Sequence, residues 1–366
     1  MSVPDVLVVG AGVFGLSIAL AARRAGLCVR VLEASHPGAG ASGGIVGALT
    51  PHAPSRWRPM MAFQFRALLS MSDHVERLER ETGLRVGYRR SGRVTPLVSE
   101  KSRAAAERDV EASPRKWGDA ARFEILDAVP SELAGWIQPE AAPFGVVRDT
   151  VSARIDPRAY IRALAAAVGD DLICGARATW FDPETARVES SAGTFCADNL
   201  VLAGGASAWP LIRNRREDLA GSAVKGQAAL VAADAVHLPV LYQDGLYVIP
   251  HSGGRIAVGS TSEKIFDRAE ETDERLDALL DRARTMCPAL ATAAVTERWA
   301  GVRPKPPGRE PLVGPWPAAP RTWLATGGFK ISFGIAHAVA DAVVAGIAGC
   351  PAPIPLPETF DPGARS

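Results

Sequence analysis

Residues 6–33 read VLVVGAGVFGLSIALAARRAGLCVRVLE, and no other stretch constrains the fold as tightly. An apolar strand, residues 6–9, runs into Gly10, Gly12 and Gly15 at G-x-G-x-x-G spacing. An alanine-rich helix follows to about residue 25, where Gly26 stops it, and a second strand, residues 28–32, ends at Glu33. Gly10 permits a tight turn, Gly12 lets the backbone approach a pyrophosphate, and Gly15 lets the helix lie close on the strand. The helix start offers free N–H groups and a positive dipole end to phosphates. Glu33 can accept a hydrogen bond from a ribose 2′-OH and would repel a 2′-phosphate. The bare glycine motif also occurs in βαβ units that bind nothing. The strand, helix, second strand and terminal acid together are what point to a dinucleotide. The motif does not separate NAD from FAD, and its place at the N-terminal end favours FAD.

With 366 residues, 47% of them hydrophobic, the chain can bury a large core in about two domains. A net charge of +1 supplies no global field for nucleic acid or an anionic membrane. Cys28, Cys174, Cys196, Cys287 and Cys350 include no C-x-x-C. Their odd count and wide spacing fit buried thiols in a reducing, cytoplasmic setting better than a disulfide frame or a zinc site. The apolar run 6–22 lacks a basic leader and is broken by glycines, so it does not read as a signal peptide. The run 331–349 carries His337 and Asp341 and reads as a buried helix, not a membrane span. The six histidines form no H-x-x-H set, so no metal is implied. Ser42 and Ser207 lie in no G-x-S-x-G elbow, which leaves acyl transfer unsupported.

After Glu33, the loop HPGAGASGGIVGALTPHAP is made of small residues that let backbone pass close to a ligand. Periodicity predicts helices over 60–82, 100–117, 128–136, 273–286 and 335–347. Another runs from Pro157 to residue 168, with Asp156 as its N-cap. Strands are expected within 86–98, 145–155, 172–179, 186–191, 194–196, 199–203, 224–231, 246–259 and 296–302, and at 312–313 and 323–325. The proline-rich end, 351–366, reads as poorly ordered. The alternation predicts an α/β, two-domain chain: a Rossmann-like parallel sheet with an inserted, mostly antiparallel domain. The first domain would take 1–85, 146–222 and 297–366, and the second 86–145 and 223–296. Residues 198–205, DNLVLAGG, would return a buried strand beside the first.

Four stretches together resemble the D-amino-acid-oxidase-like FAD oxidoreductases, and within them the glycine oxidase and sarcosine oxidase groups. They are GAGVFGLSIA with Glu33, the loop GASGGIVGALTPH, the segment LYQDGLYVIPHSGGRIAVGST, and WAGVRPKPPGREPLVG followed by ATGGFKISFGIAHAVAD. The resemblance spans nearly the whole chain and implies FAD. Gly10, Gly12, Val13, Phe14, Gly15, Glu33 and Ala34 would hold its ADP half. Ala41, Ser42, Gly47, Ala48 and Leu49 would line the pyrophosphate and isoalloxazine side. Gly204 and Gly205 would face the adenosine region, with Ala178 on a nearby loop. Gly328, Phe329, Lys330, Ile331 and Ser332 would bring backbone N–H groups and a helix start to the flavin pyrimidine edge, where reduced flavin is anionic.

For the substrate, the resemblance implies Arg303, Tyr247 and Lys330. Arg303 follows the strand ending at residue 302, and a guanidinium fork suits an α-carboxylate. Alone it would read as a surface ion-pair residue, and Tyr247 as a core aromatic; the family context decides otherwise. Tyr242 is a weaker second tyrosine, and His52, at the end of the flavin loop, is expected at the surface or behind the site rather than as a catalytic group. Lys330 follows the sarcosine oxidase pattern and Arg303 the glycine oxidase pattern, so the pocket is a hybrid that favours an anionic or zwitterionic amine. Gly245 and Ser262 stand where glycine oxidase carries histidine and methionine, which implies a roomier pocket. The segment PKPPGREPLVG holds no cysteine where sarcosine oxidases tether flavin, so FAD is expected to be non-covalent. The reaction implied is oxidation of the C–N bond of a small amino acid or N-alkyl amino acid, with hydride leaving to flavin N5. The alternative is a flavin dehydrogenase acting on a hydroxy acid or opine and passing electrons to a partner or quinone. A flavin-binding module without activity is a third reading. A homo-oligomer is left open.

Overall fold

In the computed structural model, which describes residues 3–365, the opening βαβ unit forms as read. It consists of β1 (Val6–Val9), α1 (Val13–Arg24) and β2 (Val29–Glu33). Then come β3 (Ala48–Leu49), α2 (Pro59–Thr82), β4 (Arg93–Pro96), α3 (Glu100–Trp117), β5 (Phe123–Leu126), β6 (Val146–Asp149), β7 (Ala153–Arg154) and α4 (Pro157–Val168). The middle of the chain gives β8 (Leu172–Cys174), β9 (Ala178–Asp182), β10 (Arg187–Ser190), β11 (Gly193–Cys196), β12 (Asn199–Leu202) and α5 (Trp209–Arg213). The remainder gives β13 (Ser222–Ala232), β14 (Val240–Gln243), β15 (Leu246–His251), β16 (Arg255–Gly259), α6 (Glu274–Met286), β17 (Val295–Lys305), β18 (Leu312–Trp316), β19 (Ala319–Thr326) and α7 (Ser332–Ile347).

Two large sheets organise these strands. The six-stranded sheet runs β18-β19-β12-β1-β2-β8, parallel except at the β18–β19 edge. Its central strand β1 is fully buried, as an apolar run covered on both faces must be. The eight-stranded sheet runs β17-β13-β16-β15-β14-β4-β6-β5 and is antiparallel except where β14 meets β4. Strand β12 does return beside β1, Val6 opposite Asn199. Strands β6 and β17, placed above in the first domain, are strands of the eight-stranded sheet; β17 pairs along β13 from Lys305 opposite Ser222 to Val295 opposite Val231. Helix α4 starts as expected, the Asp156 carboxylate accepting the Ala159 N–H at 3.0 Å with Pro157 in the first turn.

Several expectations are corrected. Residues 128–136 form no helix, only a single 3-10 turn at Ser131–Leu133, because Pro130 precedes it and Gly135 turns left-handed at φ +77°. Of 86–98 only β4 is a strand, with Arg89 making an isolated bridge to Arg154. Strands β5 and β14 were not foreseen. Four of the five free cysteines are exposed, and only Cys287 is buried. The proline-rich end is not loose through its described residues. It makes two 3-10 turns, Glu358–Phe360 and Pro362–Arg365, and buries Phe360 completely. The Phe360 ring meets Phe63 of α2 edge-on, centroids 5.4 Å apart. Composition argued for disorder, but one aromatic in a fitted site outweighs it. Phe360→Leu should lower unfolding stability by about 1–2 kcal/mol in urea titration. An unchanged midpoint would mean that the end is not anchored by this ring.

Between α2, α4 and α7 lies a buried polar cluster. The rings of His74 and His337 have centroids 4.9 Å apart. His74 Nε2 pairs with the Tyr160 hydroxyl at 2.8 Å, and His337 Nε2 with Ser70 Oγ at 3.0 Å. Burial brings the His337 pKa down to about 4. Burial, and then the neighbouring His337, hold His74 well below the ordinary histidine range. Both rings therefore stay neutral in the fold while the unfolded chain takes up protons near pH 6.5. Stability is thus present above about pH 6.5 and is lost as pH falls towards 4. A His337→Gln chain should show a shallower fall of Tm over that window than the parent. Equal slopes would exclude the pair as the source.

Candidate active site

Three glycine turns at the ends of β1, β12 and β19 converge. Gly10 turns with φ +105°, and a Cβ on it would stand 2.7 Å from Gly204 Cα. A Cβ on Gly15 would stand 1.8 Å from the Gly10 carbonyl oxygen, so α1 can lie on β1 only with glycine there. A Cβ on Gly328 would reach 2.6 Å from Cζ of Phe14. Gly205, at φ +59°, continues the turn after β12. The expected cofactor residues around these turns are thus brought together.

The acceptors around α1 are specific. The Glu33 carboxylate accepts the Ala11 N–H at 2.8 Å and the Ser35 N–H at 2.9 Å. Of about four acceptor sites on a carboxylate, two remain for hydroxyls. Ala34 opens the bend, residues 34–36, that directly follows Glu33. Ser42 Oγ accepts the Val13 N–H at 3.0 Å, placing the small-residue loop across the positive end of α1. Ala41 and Ser42 belong to a 3-10 turn, Ala41–Gly43. Gly47 turns at φ +68°, and a Cβ there would stand 1.9 Å from the Ile155 carbonyl oxygen; Ala48 and Leu49 then pair with Arg154 and Ala153. Ala178 opens β9 rather than sitting on a loop, two residues past the Ala176 N–H that donates to the Glu33 carbonyl at 2.8 Å.

Sequence reasoning missed the residues that hold this loop. Arg158 donates to the Gly43 carbonyl at 2.9 Å and grips Glu297 with both terminal nitrogens, at 2.6 and 3.0 Å. The buried His251 ring places Nε2 at 3.1 Å from the Ile45 carbonyl and 3.2 Å from that of Val46. His251 lies in the quoted YVIPH segment, so its position was visible, though its role was not.

Arg303 lies within β17, not after a strand end. Its guanidinium covers Gly226 and donates to Ser260 Oγ at 2.9 Å, the Thr261 carbonyl at 2.6 Å and the Lys225 carbonyl at 3.3 Å. Each of these acceptors is neutral, so its charge is uncompensated by direct contact among them. Burial pushes its pKa down, and the nearby Glu263 pushes it back up. Phe329, at φ +46°, sets its ring close to two cations, 5.5 Å from the Arg303 guanidinium carbon and 5.8 Å from Lys330 Nζ. Burial, and then the charge of Arg303, lower the Lys330 pKa. Ile331 caps α7 and Ser332 opens it, so the N–H groups of α7 start beside Lys330.

Tyr247 lies on β15 opposite Gly259, the residue before Ser260. Its hydroxyl pairs with Thr50 Oγ1 at 3.1 Å, its ring lies 4.6 Å from that of Tyr242, and burial raises its pKa. His52 stands behind the site: its Nδ1 lies 2.5 Å from Gln64 Oε1, and Gln64 Nε2 donates to the Thr50 carbonyl at 2.9 Å. A cleft of about 320 Å³ is lined by Lys330, Ser260, Thr261 and Ser262 together with Arg275, Leu279 and Arg282 of α6.

The cradle of glycines, the α1 N-terminus and the free acceptors of Glu33 fit an ADP moiety, and α7 fits an anionic ring edge. Residues 5–342 match the family model described as FAD dependent oxidoreductase, DAO. The chain belongs to this family. A glycine oxidase of Pseudomonas aeruginosa is 32% identical over 342 residues, 89% of either chain. The bifunctional protein ThiO/ThiG of Synechocystis is 30% identical over 321 residues; the match takes in 85% of this chain but only 46% of that protein. The crystal structure of glycine oxidase from Geobacillus kaustophilus superimposes with a TM-score of 0.87 over 98% of each chain at 23% identity, which establishes the shared fold. This DAO-family chain is therefore an FAD-dependent oxidoreductase.

Proposed function

We propose that the chain oxidises the C–N bond of a small amino acid or N-alkyl amino acid whose carboxylate docks on Arg303, Lys330 and Tyr247. The observation that carries this reading is the paired cations around Phe329, one held only on neutral acceptors, at the start of α7. Arg303 offers a fork for a carboxylate once an N–H it donates to Ser260 or Thr261 is released. Tyr247, its pKa raised by burial, stays a neutral phenol and donates through its hydroxyl. Bound FAD supplies a hydride acceptor for the substrate carbon. The two cations also disfavour an ammonium beside them, so the amine enters its neutral, electron-donating form more easily. Placement and charge carry such a reaction, and no dedicated base is required. The imine released from the substrate then adds water to give a keto acid, or glyoxylate from glycine, with ammonia or an alkylamine as the other product. Relatives named glycine oxidase support a small amine as substrate. With no cysteine between Arg303 and Gly314, FAD is held without a covalent tether.

The test is an anaerobic spectral screen of the purified holoprotein against glycine, sarcosine, D-amino acids, proline and iminodiacetate. At least one should bleach the flavin, and an O₂ pulse should then show whether oxygen restores its colour quickly. A flavin that hydroxy acids reduce and none of these amines does would overturn the proposal.

A further inference from the structure

The cleft beside Lys330 has a second charged wall. Arg275, Ala278, Leu279 and Arg282 occupy successive turns of α6 on the face that lines it, and Ser260, Thr261, Ser262 and Lys330 line it as well. Neither α6 arginine is committed to a close carboxylate. Arg282 donates to Gln243 Oε1 at 3.2 Å, and Arg275 lies 3.9 Å from an Asp273 oxygen that also faces Lys225 at 3.6 Å. Asp244, at the turn before Gly245, is the one acid among the residues lining this cleft, and the Gln243 side chain donates to it at 2.9 Å. The lining thus carries three cations against one anion. At about 320 Å³ the space holds roughly ten water molecules, far more than glycine fills.

The geometry points to a substrate with two acidic groups, an acidic amino acid or an N-carboxyalkyl amino acid. Its α-carboxylate lies at the Lys330 end, where Ser260 and Thr261 connect the cleft to Arg303, and its second anion lies against Arg275 and Arg282. This assignment rests on the amine-oxidation reading for which group reacts, but the distal subsite is defined by α6 alone. Ser262 and Gly245, both small, leave the path between the two ends open. Both arginines are exposed, so their contribution is screened by salt and appears in binding rather than in the chemical step.

Binding separates the two readings. The holoprotein is titrated at fixed ionic strength with succinate and glutarate, and with acetate and butyrate, while the flavin spectrum is followed. The dicarboxylates should bind at least tenfold more tightly than the monocarboxylates. In R275Q/R282Q that advantage should shrink to within about twofold, while R115Q, at the far end of α3, keeps it. For substrates that reduce the flavin, the double variant should raise KM for dianionic amines, with little change in kcat and little change for glycine or sarcosine. An advantage that survives in R275Q/R282Q, or is absent from the parent, overturns the distal subsite. A dicarboxylate advantage in a protein that no amine reduces would leave the subsite standing and sink the proposed reaction instead.

Discussion

Arg303→Ala should cost about 10²–10³-fold in kcat/KM for every carboxylate-bearing amine, the loss expected when a charged, forked contact of about 3–4 kcal/mol is removed. The effect should exceed that of Lys330→Ala, because Lys330 is a point charge on a flexible stem. Arg303 also ties β17 to the Ser260–Thr261 corner through two hydrogen bonds, so flavin content and Tm must be measured alongside. Arg303→Lys, which retains the charge and loses the fork, should recover only part of the rate. A variant that keeps its flavin and its parental kcat/KM would remove Arg303 from substrate binding.

Gly15→Ala should abolish flavin retention. The added methyl would have to occupy a point 1.8 Å from the Gly10 carbonyl oxygen. No side chain can move aside to relieve that contact, because both partners are backbone. The helix must lift from β1, at a cost on the order of 1–3 kcal/mol or more, and the N–H groups aimed at the pyrophosphate lift with it. A purified Gly15→Ala protein should therefore be colourless and less stable than the parent. Gly12→Ala meets only Ser42 Oγ, at 3.3 Å, and should weaken the cofactor without unfolding the unit. If Gly15→Ala binds FAD as tightly as the parent, close helix–strand contact is not what positions the phosphate site.

The first βαβ unit was legible because its pattern is local, strand, glycines, helix and strand within residues 6–33, even though Gly10 answers a contact with Gly204 far along the chain. The return of β12 beside β1 was legible for a related reason, an apolar run that ends on glycines. Other features depend on partners far along the chain. Nothing near residues 240–243 signals β14, whose pairing comes from β15 and from β4, more than a hundred residues earlier. The end of the chain looked disordered because prolines dominate it locally, while the site that receives Phe360 is built by α2. Arg303 and Lys330 were named on a resemblance, and their shared ring, Phe329, gives them a physical connection. The supports of the small-residue loop, Arg158 and His251, were invisible as such. A histidine bonding two carbonyls some two hundred residues away leaves no periodic trace.

The chain passes between the two large sheets four times: after β2, after β6, after β12 and after β17. Neither half is a continuous stretch, so no single cut releases one intact, and neither could be expressed alone by trimming the gene at one point. Any swinging of one half against the other must bend four strands of connection together. The Asp244–Gly245 turn, which lines the cleft, joins β14 to β15 within one sheet and lies outside these four connections.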